Sequence, residues 1–260
     1  MVYVIKVGGN VIDHPALLEQ FLADLAAIPA KKVLVHGGGK IATRIGDKLG
    51  ITSQYVNGRR ITDAETIDLV TMVYGGLVNK QVVAKLQAKG CNALGLTGAD
   101  ANIIPAVKRP VKDIDYGFVG DIPAETVQVQ PVKLLLDAGI TPVFSPLTHD
   151  GHGQILNTNA DTIASSLAIA LSSHYKVRLV YCFEKKGVLR DASDDDAVIS
   201  LINREIYQDL LAQGVLSDGI LPKLDNAFAA IESGVKEVLI GHAGDLRKNT
   251  TDAVAGTLIC

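Results

Sequence analysis

Short runs of apolar residues alternate along this chain with longer segments in which apolar positions recur every three or four residues. The short runs are almost continuously apolar, which is typical of parallel strands that helices cover on both faces. They predict buried strands at residues 2–7, 32–36, 93–96, 141–144, 177–181 and 235–240. Strands that alternate with helices predict an α/β fold, a three-layer α/β/α sandwich with a largely parallel central sheet.

Capping residues mark where two of the helices begin. Thr62 and Glu65 have the spacing of a capping box, in which Thr62 caps the first turn and Glu65 reaches back to it. The helix that follows is predicted to run to about residue 89. Asn159 is predicted to cap a second helix, with Asp161 in its first turn, where a carboxylate interacts favourably with the helix dipole.

The rest of the chain holds one more predicted helix and two irregular segments. Residues 201–213 predict a helix that ends near Gly214. Residues 104–129 interrupt the alternation of strands and helices, and within them residues 116–121 predict a hairpin over the sheet. Residues 191–196 form an acidic run, which is expected in an exposed loop.

Composition and charge exclude several classes of protein. The chain has 260 residues, enough for one large α/β domain or two closely packed lobes, and its net charge of −3 gives no reason to expect nucleic acid or an anionic membrane as a partner. No apolar run approaches the roughly 18 residues that span a bilayer, and the chain opens on a strand rather than a signal peptide. The cysteines, Cys91, Cys182 and Cys260, form no CxxC pair, so free thiols in a cytoplasmic protein are expected.

Two lysines lie beside glycine-rich backbone at opposite ends of the chain. Lys6 precedes Gly8 and Gly9, and Lys223 follows Gly219. Apolar strands that run into glycine turns bring backbone N–H groups to helix N-termini, where phosphate binds readily. Phosphoryl transfer mainly requires fixed positive charge and oriented N–H groups, so this pattern predicts a phosphoryl-transfer site.

Residues 37–39 are three consecutive glycines between a predicted strand and a predicted helix. They do not fit the Walker A pattern, but with Ala42 they fit G-x-G-x-x-A, the signature of a dinucleotide site. Such a site should show an acidic residue about 20 positions on, where this chain has Arg59 and Arg60. The two arginines favour an anionic substrate and leave an NADP site open as an alternative.

Several single polar residues are candidates for ligand contacts. Arg60 is a candidate bidentate clamp for a carboxylate. Asn157 and Asn159 alternate along a predicted strand end and either point at a ligand or satisfy a turn. Asp161 could hold two ammonium groups in place, and His36 is expected to be a packed histidine.

The ordered motifs together resemble the N-acetylglutamate kinase family of the amino acid kinase superfamily. The segments that carry the resemblance are 4–9, 35–39, 57–62, 97–100, 117–120, 157–161, 218–223 and 256–259. The resemblance spans essentially the whole chain, and it implies the amino acid kinase fold. It also implies a single domain with an N-lobe (about 1–176) for the acyl amino acid and a C-lobe (about 177–260) for the nucleotide.

The resemblance implies that the chain phosphorylates the γ-carboxylate of N-acetyl-L-glutamate with ATP, the second step of arginine biosynthesis. Since the attacking carboxylate is already ionised, no general base is needed, and Mg²⁺ would arrive with ATP, held mostly by phosphates and water rather than by a protein metal site. The implied catalytic residues are Lys6, Lys223 and Asp161, the last organising the two lysines. The implied substrate contacts are Gly38, Gly39, Arg60, Asn157 and Asn159, and the implied nucleotide contacts are Gly8, Gly9, Lys185, Lys186 and Gly219.

The chain departs from the family pattern in two places. Residues 182–186 replace a small hydroxyl residue and an aspartate near the nucleotide, where Lys185 or Lys186 could substitute. Arginine-inhibited members carry an additional N-terminal helix that builds a hexamer, whereas this chain begins at the first strand. A homodimer that is insensitive to arginine is therefore expected.

Other functions remain open at this point. An N-acetyl pocket could be reshaped for N-succinyl-L-glutamate, and extra positive charge would then be expected near the acyl end. The same fold could phosphorylate carbamate, aspartate, glutamate or a nucleoside monophosphate. A non-catalytic regulatory or binding protein and a dinucleotide-dependent reductase are the more distant alternatives.

Overall fold

The computed structural model describes residues 1–56, 58–191, 193–216 and 220–260. The strands are β1 (Val2–Val7), β2 (Lys32–His36), β3 (Tyr55–Val56), β4 (Arg59–Arg60), β5 (Ala93–Leu96), β6 (Val107–Lys108), β7 (Gly120–Asp121), β8 (Thr141–Phe144), β9 (Leu147–His149), β10 (Ile155–Asn157), β11 (Val177–Phe183), β12 (Leu201–Ile202), β13 (Glu237–His242) and β14 (Thr257–Ile259). The α-helices are α1 (Gly9–Asp13), α2 (Pro15–Ala26), α3 (Gly39–Leu49), α4 (Ala64–Val70), α5 (Asn79–Gln87), α6 (Val129–Asp137), α7 (Ala160–Ser172), α8 (Arg204–Ala212), α9 (Leu221–Glu232) and α10 (Leu246–Asn249). A π-helix (Thr71–Val78) joins α4 to α5, and 3₁₀ turns lie at Asp100–Asn102 and Ala243–Asp245.

The central sheet confirms the predicted architecture. In the described part of the chain it contains eight strands in the order β12-β14-β13-β11-β1-β2-β8-β5. Every neighbouring pair is parallel except β13 and β14. β1 is central, and its register places Lys6 between Tyr181 of β11 and Val35 of β2.

Alternation along β1 assigns its side chains to two helical layers. Val2 and Val4 pack in a core with α6, α7, α8 and α9, whereas Tyr3, Ile5 and Val7 pack in a second core with α2, α4, α5 and α10. Successive side chains of a strand point to opposite faces, so Lys6 lies on the α7 side of the sheet. Full burial of a Leu or Ile side chain contributes about 1.5–3 kcal/mol, and both layers supply such residues.

Two strands have bounds that differ from the predicted ones. β11 continues two residues beyond position 181, to Phe183, while β13 begins at Glu237 rather than at Val235. The N–H of Val235 donates to Ala230 O and so closes the end of α9. The chain enters the sheet only after that turn.

The predicted capping box at Thr62 is wrong by one residue. Both the N–H and the C=O of Thr62 bond to the backbone of residues 116–118, so this residue is extended. Asp63 is the cap instead, and its carboxylate accepts a 2.8 Å hydrogen bond from Thr66 N. The helical stretch then ends at Gln87, close to the predicted end.

The predicted helix at 201–213 begins three residues late. Leu201 and Ile202 form β12, which pairs with β14 at the edge of the sheet. Asn203 then caps α8 by accepting a hydrogen bond from Ile206 N. Gly214, with φ of 63°, follows the end of this helix, as expected.

The predicted hairpin at 116–121 is longer than expected. Its paired strands are β6 and β7, and Arg109 N donates to Val119 O at 2.8 Å. The hairpin docks on the neighbouring segment through Asn157 N, which donates to Phe118 O. It therefore forms an arm beside the carboxyl edge of the sheet. We call residues 107–121 the hairpin arm.

The three cysteines are free thiols, with Cys91 and Cys182 buried and Cys260 exposed. Across the described residues, every helix is too short or too polar to cross a membrane.

Candidate active site

Two glycine loops meet at the carboxyl edge of the sheet. Gly8 and Gly9 follow β1, and Gly37 begins the loop after β2. A Cβ on Gly37 would lie 3.3 Å from Gly9 N, so the loops are in contact. Ligands of open α/β sheets bind outside the carboxyl ends of the strands, which makes this edge the candidate site.

Lys6 and Asp161 form an ion pair at this edge. Lys6 Nζ lies 2.9 Å from Asp161 Oδ1, and the two side chains are 11% and 31% exposed. Asp161 is held in the first turn of α7, where the Asn159 side chain accepts hydrogen bonds from Asp161 N and Thr162 N. The alternation of β1 and the cap of α7 thus bring together two residues that are far apart in the sequence.

Lys223 completes a group of three charges. It lies in the first turn of α9, with its Nζ 3.8 Å from the centre of the Phe183 ring, and Lys6 Nζ lies 5.2 Å from the same ring. Burial lowers the pKa of Lys223, and of its two charged neighbours Asp161 raises this pKa while Lys6 lowers it. Two cations and one carboxylate leave a local excess of positive charge, which suits a phosphate.

The larger cavity at this edge measures about 490 Å³, a size typical of sites for small ligands. Apart from chain neighbours, the nearest described atom to a Cβ on Gly8 or on Gly9 would be 3.7 Å away. Packing within the described chain therefore does not require glycine at either position, whereas close approach of a ligand would. The cavity is lined by Gly8, Gly9, Asn10, Val11, Cys182, Phe183, Glu184, Lys185, Gly187, Val188, Leu189, Val215, Ile220, Lys223 and Ile240.

A second cavity of about 240 Å³ lies on the other side of the loops. A Cβ on Gly38 would lie 3.0 Å from the Tyr74 ring, so packing against the π-helix explains this glycine. Many of the lining residues are polar, as a site for a small polar molecule requires. They are Gly37, Gly38, Gly39, Tyr55, Gly58, Arg59, Arg60, Tyr74, Arg109, Val119, Pro146, Asn157, Thr158, Asn159 and Ala160.

Arg60 is buried at the wall of this second cavity. Its Nη2 donates to Gly39 O and to Thr43 Oγ1, each at 2.9 Å, and its Nη1 donates to the Ser53 hydroxyl. The guanidinium also lies over the Tyr55 ring, with Cζ 4.8 Å from the ring centre. These contacts fix the guanidinium beside the second glycine loop.

The two asparagines on the cavity wall have different local roles. Asn157 donates from Nδ2 to Thr62 Oγ1 at 3.0 Å, which ties β10 to the segment after β4. Asn159 uses its side-chain oxygen to cap α7. Both asparagines line the cavity. The sequence left open whether they contact a ligand or satisfy a local turn, and Asn159 can do both, because it caps α7 and also lines the cavity.

The structure separates the candidate nucleotide contacts. Lys185 lines the larger cavity and pairs with Asp195 at 2.6 Å. Lys186 pairs with Asp196 and is not among the lining residues. Gly219 lies outside the described residues. The acidic run thus balances the two lysines next to the cavity.

His36 is fully buried below the second glycine loop. Its Nδ1 is 2.7 Å from Gly37 O, and its Nε2 is 3.1 Å from Asn79 Nδ2. Burial lowers the pKa of His36 to about 4, so the ring is neutral at neutral pH. The predicted packed histidine is confirmed.

Two residues at the site were not singled out as site residues from the sequence. Phe183 lies beside both lysines, and the only sequence signal was its place at the end of a buried strand. Arg109 lines the second cavity from the hairpin arm, a segment without hydrophobic periodicity that could have located it. Both positions depend on contacts between distant parts of the chain.

The sheet, its glycine loops and the lysine pair define an α/β/α sandwich with a candidate anion site at its carboxyl edge. The model of the Amino acid kinase family matches residues 1–242. The chain therefore belongs to the amino acid kinase family.

Individual relatives agree with that assignment. The chain is 60% identical over 245 residues to the acetylglutamate kinase of Cytophaga hutchinsonii, covering 94% of this chain and 92% of the relative. It is 58% identical over 247 residues to the acetylglutamate kinase of Phocaeicola vulgatus, covering 95% of each. Among solved structures, smu.665 from Streptococcus mutans UA159 superposes with a TM-score of 0.75 at 27% identity, covering 99% of this chain and 98% of that one.

Proposed function

We propose that this chain transfers the γ-phosphoryl group of ATP to the γ-carboxylate of N-acetyl-L-glutamate. Support comes from the two relatives named acetylglutamate kinase, which are 60% and 58% identical over at least 94% of the chain. The product is the acyl phosphate of the second step of arginine biosynthesis, a cytoplasmic reaction. The single observation that carries the mechanism is the trio of Lys6, Asp161 and Lys223 at the carboxyl edge.

The reaction needs little proton transfer from the protein. A γ-carboxylate oxygen of the substrate attacks the γ-phosphorus, a new P–O bond forms, and the bond to the bridging oxygen breaks to release ADP. A glutamate carboxyl group has an ordinary pKa of about 4.3, so the nucleophile is already ionised at neutral pH. Catalysis therefore consists of positioning and of stabilising negative charge on the transferring group.

The trio would supply that stabilisation. Lys223 lines the larger cavity, and Ala160, the residue before Asp161, lines the smaller one. Neither Lys6 nor Asp161 is among the described residues that line the two cavities, and we infer that the trio lies between them. Lys6 and Lys223 would bind the oxygens of the transferring phosphoryl group. Asp161, 2.9 Å from Lys6, would orient that ammonium group without attacking anything. The N–H groups of Gly8 and Gly9 would bind nucleotide phosphate.

The smaller cavity would hold the acylated amino acid. Arg60 is positioned to bind the α-carboxylate, and Gly38 and Gly39 would offer N–H groups to the attacking carboxylate. Asn157 would bind the amide end, while Asn159 would act through the α7 cap that holds Asp161. The larger cavity includes residues on both sides of position 176 and the smaller one only residues before it. An N-lobe for the amino acid and a C-lobe for the nucleotide, sharing one sheet, remain our proposal.

The donor set suits a divalent cation that arrives with the nucleotide. Within the described residues, His, Cys, Asp and Glu side chains form no group of three or more that could hold a metal ion. Glu184 on the cavity wall and Asp161 beside Lys6 are single carboxylates. Mg²⁺ keeps several waters and binds through one or two carboxylates and substrate phosphates, so these residues fit Mg²⁺–ATP. Bound Mg²⁺ would neutralise charge on the phosphates.

A homodimer remains our prediction for the assembly. Met72 and Leu77 of the π-helix and Leu94 of the edge strand β5 are large apolar side chains, each more than 40% exposed. A second copy could cover them. Analytical ultracentrifugation is expected to give a mass of two chains, and a monomer would contradict the prediction. Millimolar arginine is expected to leave the activity unchanged.

The test of the proposed function is ATP-dependent formation of an acyl phosphate, trapped with hydroxylamine. N-acetylglutamate should give hydroxamate, whereas unsubstituted glutamate, aspartate and carbamate should give little. Preference for one of those acceptors would change the substrate while keeping the chemistry. Lack of any turnover by a folded protein would refute the proposal and favour a regulatory role on the same fold.

A further inference from the structure

The hairpin arm brings to the smaller cavity an arginine to which the proposed reaction assigns no role. Arg109 lines the 240 Å³ cavity and also a neighbouring cavity of about 380 Å³. Arg59, from β4, lines both cavities as well. The two cavities are therefore adjacent and share a pair of guanidinium groups. We call the 380 Å³ cavity the arm cavity.

The hydrogen-bonding capacity of Arg109 is only partly used. Its Nε donates to both oxygens of the Asp121 carboxylate at 3.1 Å, and its Nη2 donates to the same carboxylate. Nη1 is buried and has no hydrogen-bond partner among the described residues. Buried donors in proteins are almost always paired, so this nitrogen is left for an acceptor from outside the described chain, either water or a ligand group that enters the adjoining cavities.

The arm cavity carries a small excess of positive charge. Its lining includes the cations Arg59, Arg109 and Lys112 and the carboxylates Asp113 and Asp121. Asp121 is already engaged by Arg109, and the Arg109 guanidinium is also stacked 5.3 Å from the Tyr116 ring centre. An arginine held by a carboxylate and an aromatic ring keeps a fixed orientation, which favours recognition of a planar anion.

Arg60 already has a role in the proposed reaction, whereas Arg109 and Arg59 do not. Both Nη atoms of Arg60 donate to protein acceptors, which hold the guanidinium next to the glycine loop. The proposed function assigns its remaining N–H groups to the α-carboxylate. Arg109 and Arg59 lie at the junction with the arm cavity, where the proposed reaction on an acetyl substrate requires no positive charge.

We propose that Arg109 and Arg59 bind a carboxylate at the far end of the acyl substituent. The site would then accept N-acyl-glutamates whose acyl group is a dicarboxylic acid, such as N-succinyl-L-glutamate, as well as the N-acetyl compound. The chemistry at the γ-carboxylate is the same for both, because the second carboxylate only binds. This inference rests on the proposed function, since it assigns the acyl end of the same substrate site.

The test compares two acyl groups of equal chain length that differ in charge. N-succinyl-glutamate and N-butyryl-glutamate are each assayed by hydroxylamine trapping with ATP, alongside N-acetylglutamate. The unmodified enzyme is expected to show kcat/KM at least tenfold higher for the succinyl than for the butyryl compound. A ratio near one in the unmodified enzyme would overturn the proposal, whatever any variant does.

Variants then test whether Arg109 recognises the second carboxylate. Arg109→Gln keeps a long polar side chain on the hairpin arm, and it is expected to lower the succinyl-to-butyryl ratio at least about threefold, with Arg59 supplying the preference that remains. Arg109→Lys keeps the charge without the planar fork and should give an intermediate ratio. Arg247→Gln, at an exposed arginine of α10, is the matched control and should leave the ratio unchanged. An unchanged ratio in Arg109→Gln would overturn the assignment.

Binding distinguishes failure of this inference from failure of the proposed function. If none of the acyl-glutamates is phosphorylated, the proposed function fails, and calorimetry of the full chain still compares the two acyl compounds. Tighter binding of the succinyl compound by at least tenfold would support the anion subsite without the reaction. Equal binding would overturn it. Turnover of N-acetylglutamate with no succinyl preference would refute only the subsite.

Discussion

The two glycine loops of the site contain the same residue type for different physical reasons. A Cβ on Gly8 would meet no described atom beyond its chain neighbours within 3.7 Å, whereas a Cβ on Gly38 would come within 3.0 Å of the Tyr74 ring. Glycine in the first loop leaves backbone open to a ligand, and glycine in the second lets the loop pack on the π-helix. A glycine-rich loop alone therefore does not identify a phosphate site.

The charged groups of the two cavities also differ in their surroundings. Lys223 lines the larger cavity beside the Phe183 ring, and burial lowers its pKa. Arg60 belongs to the smaller cavity, where protein acceptors already bind both Nη atoms. We expect the first side to act mainly on the rate of phosphoryl transfer and the second mainly on binding of the amino acid.

The largest expected effect is on the nucleotide side. Lys223→Ala should lower kcat about 10²–10³-fold with a much smaller change in either KM, because the lost charge acts on the transition state. Steady-state kinetics with both substrates varied provides the measurement. Lys48→Ala, at an exposed lysine in the last turn of α3, is the control and should retain full activity. A change confined to KM would place Lys223 in ground-state binding and break the comparison.

Next in size is the effect of removing Arg60 on the amino-acid side. Arg60→Ala should raise KM for N-acetylglutamate about 10–100-fold at saturating ATP, since a charged hydrogen bond contributes about 1.5–3 kcal/mol. Arg60→Lys should recover only part of this loss, because lysine lacks the planar fork. Thermal melting checks that both variants are folded. A rise in KM for ATP instead would show that the two sides are assigned in the wrong order.

A matched pair of glycine variants tests the comparison directly. Gly8→Ala should leave the free energy of unfolding unchanged or raise it by up to about 1 kcal/mol, while kcat/KM for ATP falls about tenfold. Gly38→Ala should instead lower the free energy of unfolding by about 1–3 kcal/mol, because the new methyl group presses on Tyr74. Urea unfolding measures the stability of each variant, and steady-state kinetics on the same preparations measure its activity. Equal loss of stability in both variants would remove the distinction between the loops.

The smallest expected effect is a shift in the pH profile. Lys223 must be protonated to act as a cation, so kcat should fall as pH rises through its pKa. Asp161 raises that pKa, and Asp161→Asn should therefore move the alkaline limb of kcat to lower pH. Asp137→Asn is the control, since Asp137 pairs with Lys31 and Lys133 away from both cavities. A shift to higher pH in Asp161→Asn would contradict the proposed role.

Local patterns in the sequence predicted most of the fold. Buried parallel strands are almost continuously apolar, so the runs that became β1, β2, β5 and β8 were located to the residue. Asn159 caps α7 as predicted, because a cap depends on residues only a few positions apart. Predictions were wrong where a distant segment competes for the backbone, as residues 116–118 do at Thr62.

The sequence by itself determined the layers of this protein, the edge at which the glycine loops and Lys6 would lie, and the family motifs. Only the tertiary structure decided that Lys6 reaches Asp161, that Phe183 lies beside both lysines, and that the hairpin arm brings Arg109 to the smaller cavity. The physical reason is the sequence distance over which each interaction acts. Periodicity and capping act within a few residues, whereas ion pairs and cavity walls depend on how separate elements pack.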